Sequence, residues 1–210
     1  MGKLPMALRV AVMTDNTHQG RIGPNAVIRV AEALRKSQGQ GAVTELFTEA
    51  GLAHYLDAMP TEMIDEGEVV ALQSALRAQF GIPMARSVSR DAGLRTGDYL
   101  LANRIPRSVQ RLLAILPPGM ACPALVKAIR RNSWTFVGTG VFDADPKYPP
   151  RLLVTDSPLC RGATATEPLC DYYAGTFERL FRSLVHRKSV VTEIACQANH
   201  AHRCVFEVRW

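Results

Sequence analysis

The stretch VVTEIACQANHAHRCVFEVRW, residues 190–210, decides how the second part of the chain folds. Both of its ends are rich in β-branched and aromatic residues, which favour strands, and the seven residues 197–203 between them suit a polar connection. The sequence therefore predicts a hairpin of two antiparallel strands. A hairpin does not require Glu193, Cys196 and Cys204 to meet, so their grouping needs a separate explanation.

Upstream of the hairpin, the hydrophobic pattern predicts two more strands and a helix. Residues 134–145 alternate between apolar and polar side chains, residues 151–159 form a compact apolar run, and the sequence PKYPP joins them. A polar loop then leads to a helix over residues 168–185 with a broad apolar face. That face consists of Leu169, Tyr172, Tyr173, Phe177, Leu180, Phe181 and Leu184. The order strand-strand-helix-strand-strand predicts an antiparallel sheet.

The first two thirds of the chain is predicted to be helical. Pro24 stands in the first turn of the first helix, and Gly39 and Gly81 stand where helices are expected to end. Predicted helices cover residues 21–39, 42–56, 65–81, 82–104, 107–116 and 123–134. Helices followed by an antiparallel sheet place the chain in the α+β class.

Two portions are expected, a helical N-terminal portion over residues 1–130 and a second portion over residues 131–210. Residues 1–20 are expected to form a loose arm with one short strand over residues 8–13. No run approaches the roughly 18 to 20 apolar residues that a membrane span needs, and the N-terminal segment lacks the apolar core and cleavage site of a signal peptide. We therefore expect a cytoplasmic protein.

The charge balance bears on the choice of partner. A net charge of +6 arises from Lys and Arg residues that are scattered among acidic ones, which is typical of a solvated surface and argues against a nucleic-acid partner. The excess still allows an acidic partner, a carboxylated small molecule, or peripheral association with an anionic membrane surface.

Three cysteines and one glutamate near the C-terminus could share a metal ion. Cys170 stands in the first turn of the predicted helix, Glu193 near the end of a strand, and Cys196 and Cys204 on either side of the hairpin turn. Three thiolates and one carboxylate are a suitable tetrahedral ligand set for Zn²⁺. Because Glu193 and Cys196 are three residues apart, a regular strand would point them to opposite faces, so a bulge or the start of the turn must lie between them.

Two alternatives remain open at this point. His200 and His202 lie in the turn and could replace Glu193 as a ligand. The cysteines could instead be small buried apolar residues, with Glu193 exposed on a strand and no metal bound. Five cysteines without an export signal disfavour a disulfide framework, which leaves the thiols available for metal or substrate.

Residues 134–210 resemble the vinyl-4-reductase domain family. The family pattern is a cysteine early in a helix, then Glu-x-x-Cys, then a further cysteine after a short turn, and it is matched by Cys170, by EIAC at residues 193–196 and by Cys204. In phenol-sensing transcription activators the same domain holds a zinc ion at these four positions. The resemblance therefore implies a structural zinc ion bound by Cys170, Glu193, Cys196 and Cys204, and a homodimer.

A longer resemblance covers nearly the whole chain. The motifs RIGPNAVIRVAEAL, DYLLANRIPRSVQRLL, RRNSWTFVGTGVF, SPLCRG and CDYYAGTFERLFR are similar, in this order, to the bacteriochlorophyll 4-vinyl reductase family of purple photosynthetic bacteria. That resemblance implies an oxidoreductase of chlorophyll and bacteriochlorophyll biosynthesis. Its substrate would be a divinyl protochlorophyllide or chlorophyllide, whose C8 vinyl group, numbered 4 in the older scheme, is reduced. The partners implied are this magnesium tetrapyrrole and other enzymes of the pathway, and the membrane allowed by the charge balance would be the photosynthetic membrane.

The residues themselves do not reveal an electron donor. Saturation of a vinyl group needs two electrons and a proton, and residues 138–143 (GTGVFD) lack the third glycine and the following helix of a dinucleotide fingerprint. The cysteine spacing suits one zinc ion better than an iron–sulfur cluster. The donor and the catalytic residues therefore stay unknown, and a vinyl reductase, its substrate-binding component and a non-catalytic tetrapyrrole carrier all remain open. A small-molecule sensor is disfavoured, because the chain lacks the ATPase and DNA-binding segments of the sensing activators.

A pocket for a pigment precursor must be broad, flat and apolar, with a few polar groups for the carboxylates and the magnesium ion. The candidate lining residues are Trp134, Phe136, Tyr172, Tyr173 and Phe177, with Arg161 as the partner of a carboxylate. The alternatives are that the rings belong to the core and that the arginine is solvated.

Magnesium offers a further set of candidates. Cys160 or a histidine could approach the ion, and Cys160 ranks below any histidine because Mg²⁺ prefers harder ligands than sulfur. His18 and Arg21 are weaker candidates of the same kind.

Overall fold

The computed structural model describes residues 20–210, so the predicted arm over residues 1–20, with its strand at residues 8–13, lies outside the described residues apart from Gly20. The helices are α1 (Asn25–Glu49), α2 (His54–Asp57), α3 (Glu66–Asn103), α4 (Arg107–Ile115), α5 (Pro118–Arg131), α6 (Trp134–Val137) and α7 (Asp171–Leu184). The strands are β1 (Arg21–Ile22), β2 (Ile64–Asp65), β3 (Val141–Asp145), β4 (Arg151–Thr155), β5 (Val190–Ala195) and β6 (Cys204–Arg209). The predicted α+β class is confirmed. Within residues 20–210, no helix has both the length and the apolar character to cross a membrane.

The two longest helices each contain one break, and each break lies at a glycine. Gly39 in α1 has φ 86° and Gly81 in α3 has φ 73°, a left-handed region that glycine enters without steric cost. The helix ends predicted at these two glycines therefore mark real interruptions of the backbone. The chain continues as a helix on the far side of each one.

Helix α7 packs along α3 and joins the helical part to the sheet. A Cβ atom on Gly93 would clash with the carbonyl group of Tyr172, and one on Gly175 would lie 2.5 Å from the carbonyl oxygen of Arg90. The backbones can approach this closely only because both positions lack a side chain. Arg90 also donates to Glu178 at 2.5 Å across the same interface. The division at residues 130 and 131 stays a prediction.

The sheet has four antiparallel strands in the order β3-β4-β6-β5. The terminal hairpin is therefore confirmed, with β5 paired to β6 and β6 inserted beside β4. One face of the sheet buries Phe142, Leu152 and Phe206 against α7. A separate short pair, β1 with β2, is not predicted by the sequence pattern.

The strand predicted for residues 134–145 is wrong in its first half. Residues Trp134–Val137 form the short helix α6, and the strand starts only at Val141. The amide groups of Phe136 and Val137 donate to the carbonyl of Ser133 at 2.9 and 3.0 Å, and Gly138 then turns the chain with φ 60°. These local hydrogen bonds outweigh the alternating pattern.

Candidate functional site

Four cysteines meet where three strands end and α7 begins. Cys160 lies in the loop after β4, and Cys170 directly precedes α7. Cys196 follows β5 and opens the 3₁₀ turn Gln197–Asn199, while Cys204 is the first residue of β6. The same sheet register that pairs Cys204 with Val154 of β4 brings these ends together.

The distances among the four sulfur atoms fit one tetrahedral ion. The Sγ atom of Cys204 lies 3.6 Å from that of Cys170, 3.7 Å from that of Cys160 and 3.8 Å from that of Cys196. All four sulfurs lie within 4.8 Å of one another. A zinc ion with bonds of about 2.3 Å separates its sulfur ligands by about 3.8 Å, whereas a disulfide needs about 2.05 Å. The four thiols are free, buried and close enough to hold a metal ion.

Glu193 lies beside this cluster, at the bulge that the sequence requires. The register of β5 shifts between Glu193 and Ala195, which turns Cys196 toward the other sulfurs. The Oε2 atom of Glu193 accepts the backbone N–H of Cys170 at 2.7 Å, and its buried Oε1 atom has no hydrogen-bond donor among the described residues. Burial, together with the negative charge of Cys196, raises the pKa of Glu193 to about 9.

Three of the four predicted metal ligands, Cys170, Cys196 and Cys204, are therefore brought together, and Cys160 joins them. The role of Glu193 as a ligand stays a prediction. His200 and His202, the alternative ligands, are exposed in the turn and are not part of the cluster. Sequence reasoning misses Cys160 as a ligand because it belongs to no recognisable Cys-x-x-Cys spacing. The signal that could have found it is that four of the five cysteines stand in the last 51 residues.

Several polar groups favour the thiolate form of the cluster. The N–H of Gln197 points at Sγ of Cys204 at 3.5 Å, and sulfur hydrogen bonds from Cys160 and from its two other neighbours lower the pKa of the Cys196 thiol. Arg77 donates to the carbonyl of Leu159 at 2.9 Å. Burial lowers the pKa of Arg77, and the charges of the nearby sulfurs partly offset that effect. Arg77 is thus a counter-charge for the cluster that the sequence does not reveal.

The predicted substrate residues divide into two groups. Phe136, Tyr173 and Phe177 meet in one aromatic cluster with Phe142 and Phe206, in which neighbouring ring centroids are 5.5 to 6.2 Å apart. The hydroxyl of Tyr173 donates to the carbonyl of Phe136 at 2.7 Å. Burial raises the pKa of Tyr173 well above its ordinary value, so this hydroxyl stays a donor. The rings fill the space between α6, α7 and the sheet.

The remaining candidates lie apart from this aromatic cluster. The hydroxyl of Tyr172 pairs with Thr96 at 2.8 Å on the side of α3, and Trp134 is 43% exposed at the start of α6. Arg161 is bound in ion pairs with Glu66 at 2.9 Å and with Asp156 at 3.0 Å.

The Glu66 carboxylate holds three parts of the chain together. It accepts the backbone N–H of Thr139 at 2.9 Å, the hydroxyl of the same residue at 2.7 Å, and the guanidinium of Arg161. Burial opposes ionisation of Glu66, but hydrogen bonds from Arg161 and Thr139 outweigh burial and hold its pKa below the ordinary value of 4.5. The start of α3, the loop before β3 and the loop that carries Cys160 are thereby linked.

Two open grooves lie elsewhere on the surface. One of about 480 Å³ is lined by residues around β1 and β2, where Arg21 donates to the carbonyl of Met63. The other, of about 430 Å³, lies between the connection of α4 to α5 and the end of α7. Of the candidates near magnesium, Cys160 lies in the sulfur cluster, Arg21 lines the first groove, and His18 lies outside the described residues.

Comparison with known proteins identifies relatives in sequence. Residues 150–210 match the model of the vinyl-4-reductase domain, which confirms the resemblance to that family. The chain is 38% identical over 188 residues to the bacteriochlorophyll synthase 23 kDa chain of Cereibacter sphaeroides, with 90% of each chain covered. It is 34% identical over 186 residues to the protein of the same name from Rhodobacter capsulatus, covering 89% of this chain and 85% of that one.

Among solved structures, the chain is similar in fold to an Fe(II) unliganded H-NOX protein from K. algicida. The TM-score is 0.60 at 11% identity, and the match covers 90% of this chain and 96% of that one. At this level of identity the likeness shows the fold alone.

Proposed function

Because the chain belongs to the family of the bacteriochlorophyll synthase 23 kDa chains, we propose that it acts in bacteriochlorophyll biosynthesis as a metal-stabilised, substrate-binding component. Its ligand is a magnesium tetrapyrrole of the divinyl protochlorophyllide or chlorophyllide type, bound for reduction of the C8 vinyl group. The observation that carries this proposal is the 38% identity, which extends over 90% of both chains. Cytoplasmic location, dimerisation and association with other enzymes of the pathway belong to the same proposal.

The metal is proposed to be zinc, held by Cys160, Cys170, Cys196 and Cys204. A tetrahedral set of four sulfurs suits zinc or an iron ion, and the sulfur separations of 3.6 to 3.8 Å match the zinc–sulfur geometry. When bound, zinc supplies a cross-link and no electrons, because it has no redox chemistry. Four protein ligands define a closed, structural site that fastens the ends of β4, β5 and β6 to α7.

Glu193 is the competing fourth ligand, carried over from the family resemblance. The hydrogen bond from Cys170 to Oε2 gives Glu193 a supporting role, in which it holds the backbone of a ligand. The unpaired Oε1 atom is the feature that would suit direct binding. The two roles predict different variants to fail.

Metal content separates these roles. The full chain and the variants Cys160→Ser, Glu193→Gln and Cys122→Ser should be purified and measured by elemental mass spectrometry. Cys122 is the matched control, since it is a buried cysteine whose Sγ atom contacts the carbonyl of Pro146 at 3.7 Å, outside the cluster. We expect Cys160→Ser alone to lose zinc. If Glu193→Gln loses zinc and Cys160→Ser keeps it, Glu193 is the fourth ligand.

The place proposed for the pigment is the aromatic cluster beneath α6. Phe136, Tyr173 and Phe177 offer flat apolar surfaces, and α6 covers them with only four residues. Tyr172 and Trp134 extend the aromatic surface on either side, and Arg161 is the candidate for a pigment carboxylate. Since the rings occupy one another's space, α6 must move away for a pigment to enter. Gly138, directly after α6, borders the segment that moves.

Direct mixing tests the proposed role. The purified chain is titrated with divinyl protochlorophyllide, first alone and then with NADPH or reduced ferredoxin, and the pigment is followed by absorbance and by chromatography. A shift of the absorbance bands without a monovinyl product is expected, and Phe136→Ala should weaken it while the exposed Val190→Ala should not. Product formed by the chain alone would make it the vinyl reductase itself. An unchanged pigment spectrum would refute the binding role.

A further inference from the structure

All of the net charge of the chain can be traced to one segment. Residues 99–142 contain six Lys and Arg residues and no Asp or Glu. Since the whole chain has 25 basic and 19 acidic residues, the remainder carries 19 of each and is neutral. The six cations are Arg104, Arg107, Arg111, Lys127, Arg130 and Arg131. The positive charge is therefore concentrated on α4, on α5 and just before α4.

Most of these cations are free of internal partners. Arg130 pairs with Asp143 at 2.6 Å, at the end of α5. Among residues 20–210, no ion pair involves Arg104, Arg107 or Arg111. Their charge is directed to solvent and is available to an anionic surface.

The same segment exposes large apolar side chains. Along α4, Val109, Leu112 and Ile115 are 41%, 55% and 79% exposed, and Met120 in the first turn of α5 is 61% exposed. The three residues of α4 are spaced by three, so they lie along one side of the helix. On its other side Leu113 is buried, which fixes the orientation of the helix. We call the four exposed residues the apolar elbow.

A groove adjoins the elbow and adds further positive charge. It has a volume of about 430 Å³, and its walls include Leu116 and Pro118 from the connection of α4 to α5 and Arg182 and Arg187 from the end of α7. Arg182 is held by Glu178 at 3.1 Å, whereas Arg187 is exposed and forms no ion pair with the described residues. The groove thus offers an apolar wall beside a free guanidinium, which suits a lipid phosphate group.

We propose that the apolar elbow docks the chain on an anionic lipid bilayer. Protruding apolar side chains flanked by Lys and Arg are the features of a helix that lies in a membrane interface. The apolar side chains enter the boundary between headgroups and acyl chains, and the cations remain at the level of the phosphates. This proposal does not depend on the pigment-binding role.

Charge and shape favour a bilayer over the two other occupants. A second copy would bring six cations against six cations, which repel each other. A specific protein partner needs about 800 Å² of complementary surface on each side, whereas four protruding side chains suit a soft, deformable phase.

Vesicle flotation of the purified full chain tests the docking. Vesicles of phosphatidylcholine alone are compared with vesicles that contain about 30% phosphatidylglycerol, whose negative surface attracts cations. Binding is expected only to the anionic vesicles, and it should weaken when salt is raised to about 1 M, where the Debye length is about 3 Å.

Two pairs of variants separate the apolar from the electrostatic contribution. Leu112→Gln with Ile115→Gln should reduce vesicle affinity about tenfold or more, because both side chains lose their apolar contact with the bilayer. Arg107→Gln with Arg111→Gln should reduce it roughly 25-fold, at about fivefold for each cation. The matched controls are Val141→Gln with Ile194→Gln, two apolar residues that are 63% and 48% exposed on strands, and Lys36→Gln with Arg203→Gln, two exposed cations elsewhere.

All of these positions lie on the surface, so circular dichroism should show unchanged folding. Equal binding to both kinds of vesicle, or no binding to either, would overturn the proposal. So would a loss of affinity that is as large in the control pairs. If the elbow variants instead lose binding to an acidic pathway protein while the full chain ignores vesicles, the surface is a protein interface and the bilayer proposal is wrong.

Discussion

Replacement of Glu66 by glutamine should lower the stability of the chain in a way that depends on pH. The side chain of Glu66 is 11% exposed, and it accepts the amide and the hydroxyl of Thr139 and the guanidinium of Arg161. Hydrogen bonds to charged groups contribute about 1.5 to 3 kcal/mol each. Glutamine still accepts one or two of them without charge, and Arg161 keeps its ion pair with Asp156 at 3.0 Å. We therefore expect a net loss of about 2 kcal/mol at pH 7.

The sign of the pH dependence follows from the direction of the pKa shift. The pKa of Glu66 in the folded chain is below its ordinary value of 4.5, so the stability that its charge contributes is fully present above pH 4.5. It is lost as the pH falls through the lower, folded value. The difference between the native chain and Glu66→Gln should therefore be constant at neutral pH and shrink in acid.

Urea unfolding followed by circular dichroism, repeated from neutral to acidic pH, measures this difference. Loss of a bound metal in acid affects both chains and cancels in the comparison. Glu62→Gln is the matched control, because Glu62 is exposed and should change stability by less than about 0.5 kcal/mol. Equal stability of Glu66→Gln and the native chain at pH 7, or a difference that grows as the pH falls, would refute the reasoning.

Three other predictions concern packing and the metal. Gly175→Ala should destabilise the chain by about 3 kcal/mol, since its Cβ atom would lie 2.5 Å from the carbonyl oxygen of Arg90, whereas Gly41→Ala, with nothing within 4 Å, should be neutral or slightly stabilising in thermal unfolding. Tyr173→Phe should cost about 1 kcal/mol in urea unfolding because the carbonyl of Phe136 loses its donor, and Tyr148→Phe, 58% exposed, should cost less than half of that. A strong chelator should lower the melting temperature of the native chain and of Cys122→Ser, but should leave a metal-free Cys196→Ser unchanged; equal responses of all three would contradict the metal assignment.

Features of the fold that depend on local pattern can be predicted from the sequence. The β-branched and aromatic residues correctly indicate both strands of the terminal hairpin, and the spacing of Glu193 from Cys196 requires the bulge that lies between them. The breaks in the two long helices lie at Gly39 and Gly81, because a residue without a side chain marks such a position.

Features that depend on tertiary contacts cannot be predicted in the same way. Residues 134–137 alternate like a strand, yet the hydrogen bond from Tyr173 to Phe136 and the turn at Gly138 stabilise a helix there. Cys160 joins the sulfur cluster only because β4 lies next to β6, and strand order is not written in local spacing. Arg77 approaches the same cluster from α3, far away in the chain.

X-ray absorption spectroscopy of the purified chain at the zinc edge tests the four-cysteine centre most directly, because it counts the atoms bound to the metal. The prediction is one zinc ion per chain with four sulfur neighbours at about 2.3 Å and no nitrogen or oxygen neighbour. Three sulfurs with one oxygen would contradict the assignment of Cys160 and put Glu193 in its place. A chain purified without any metal would contradict the centre as a whole.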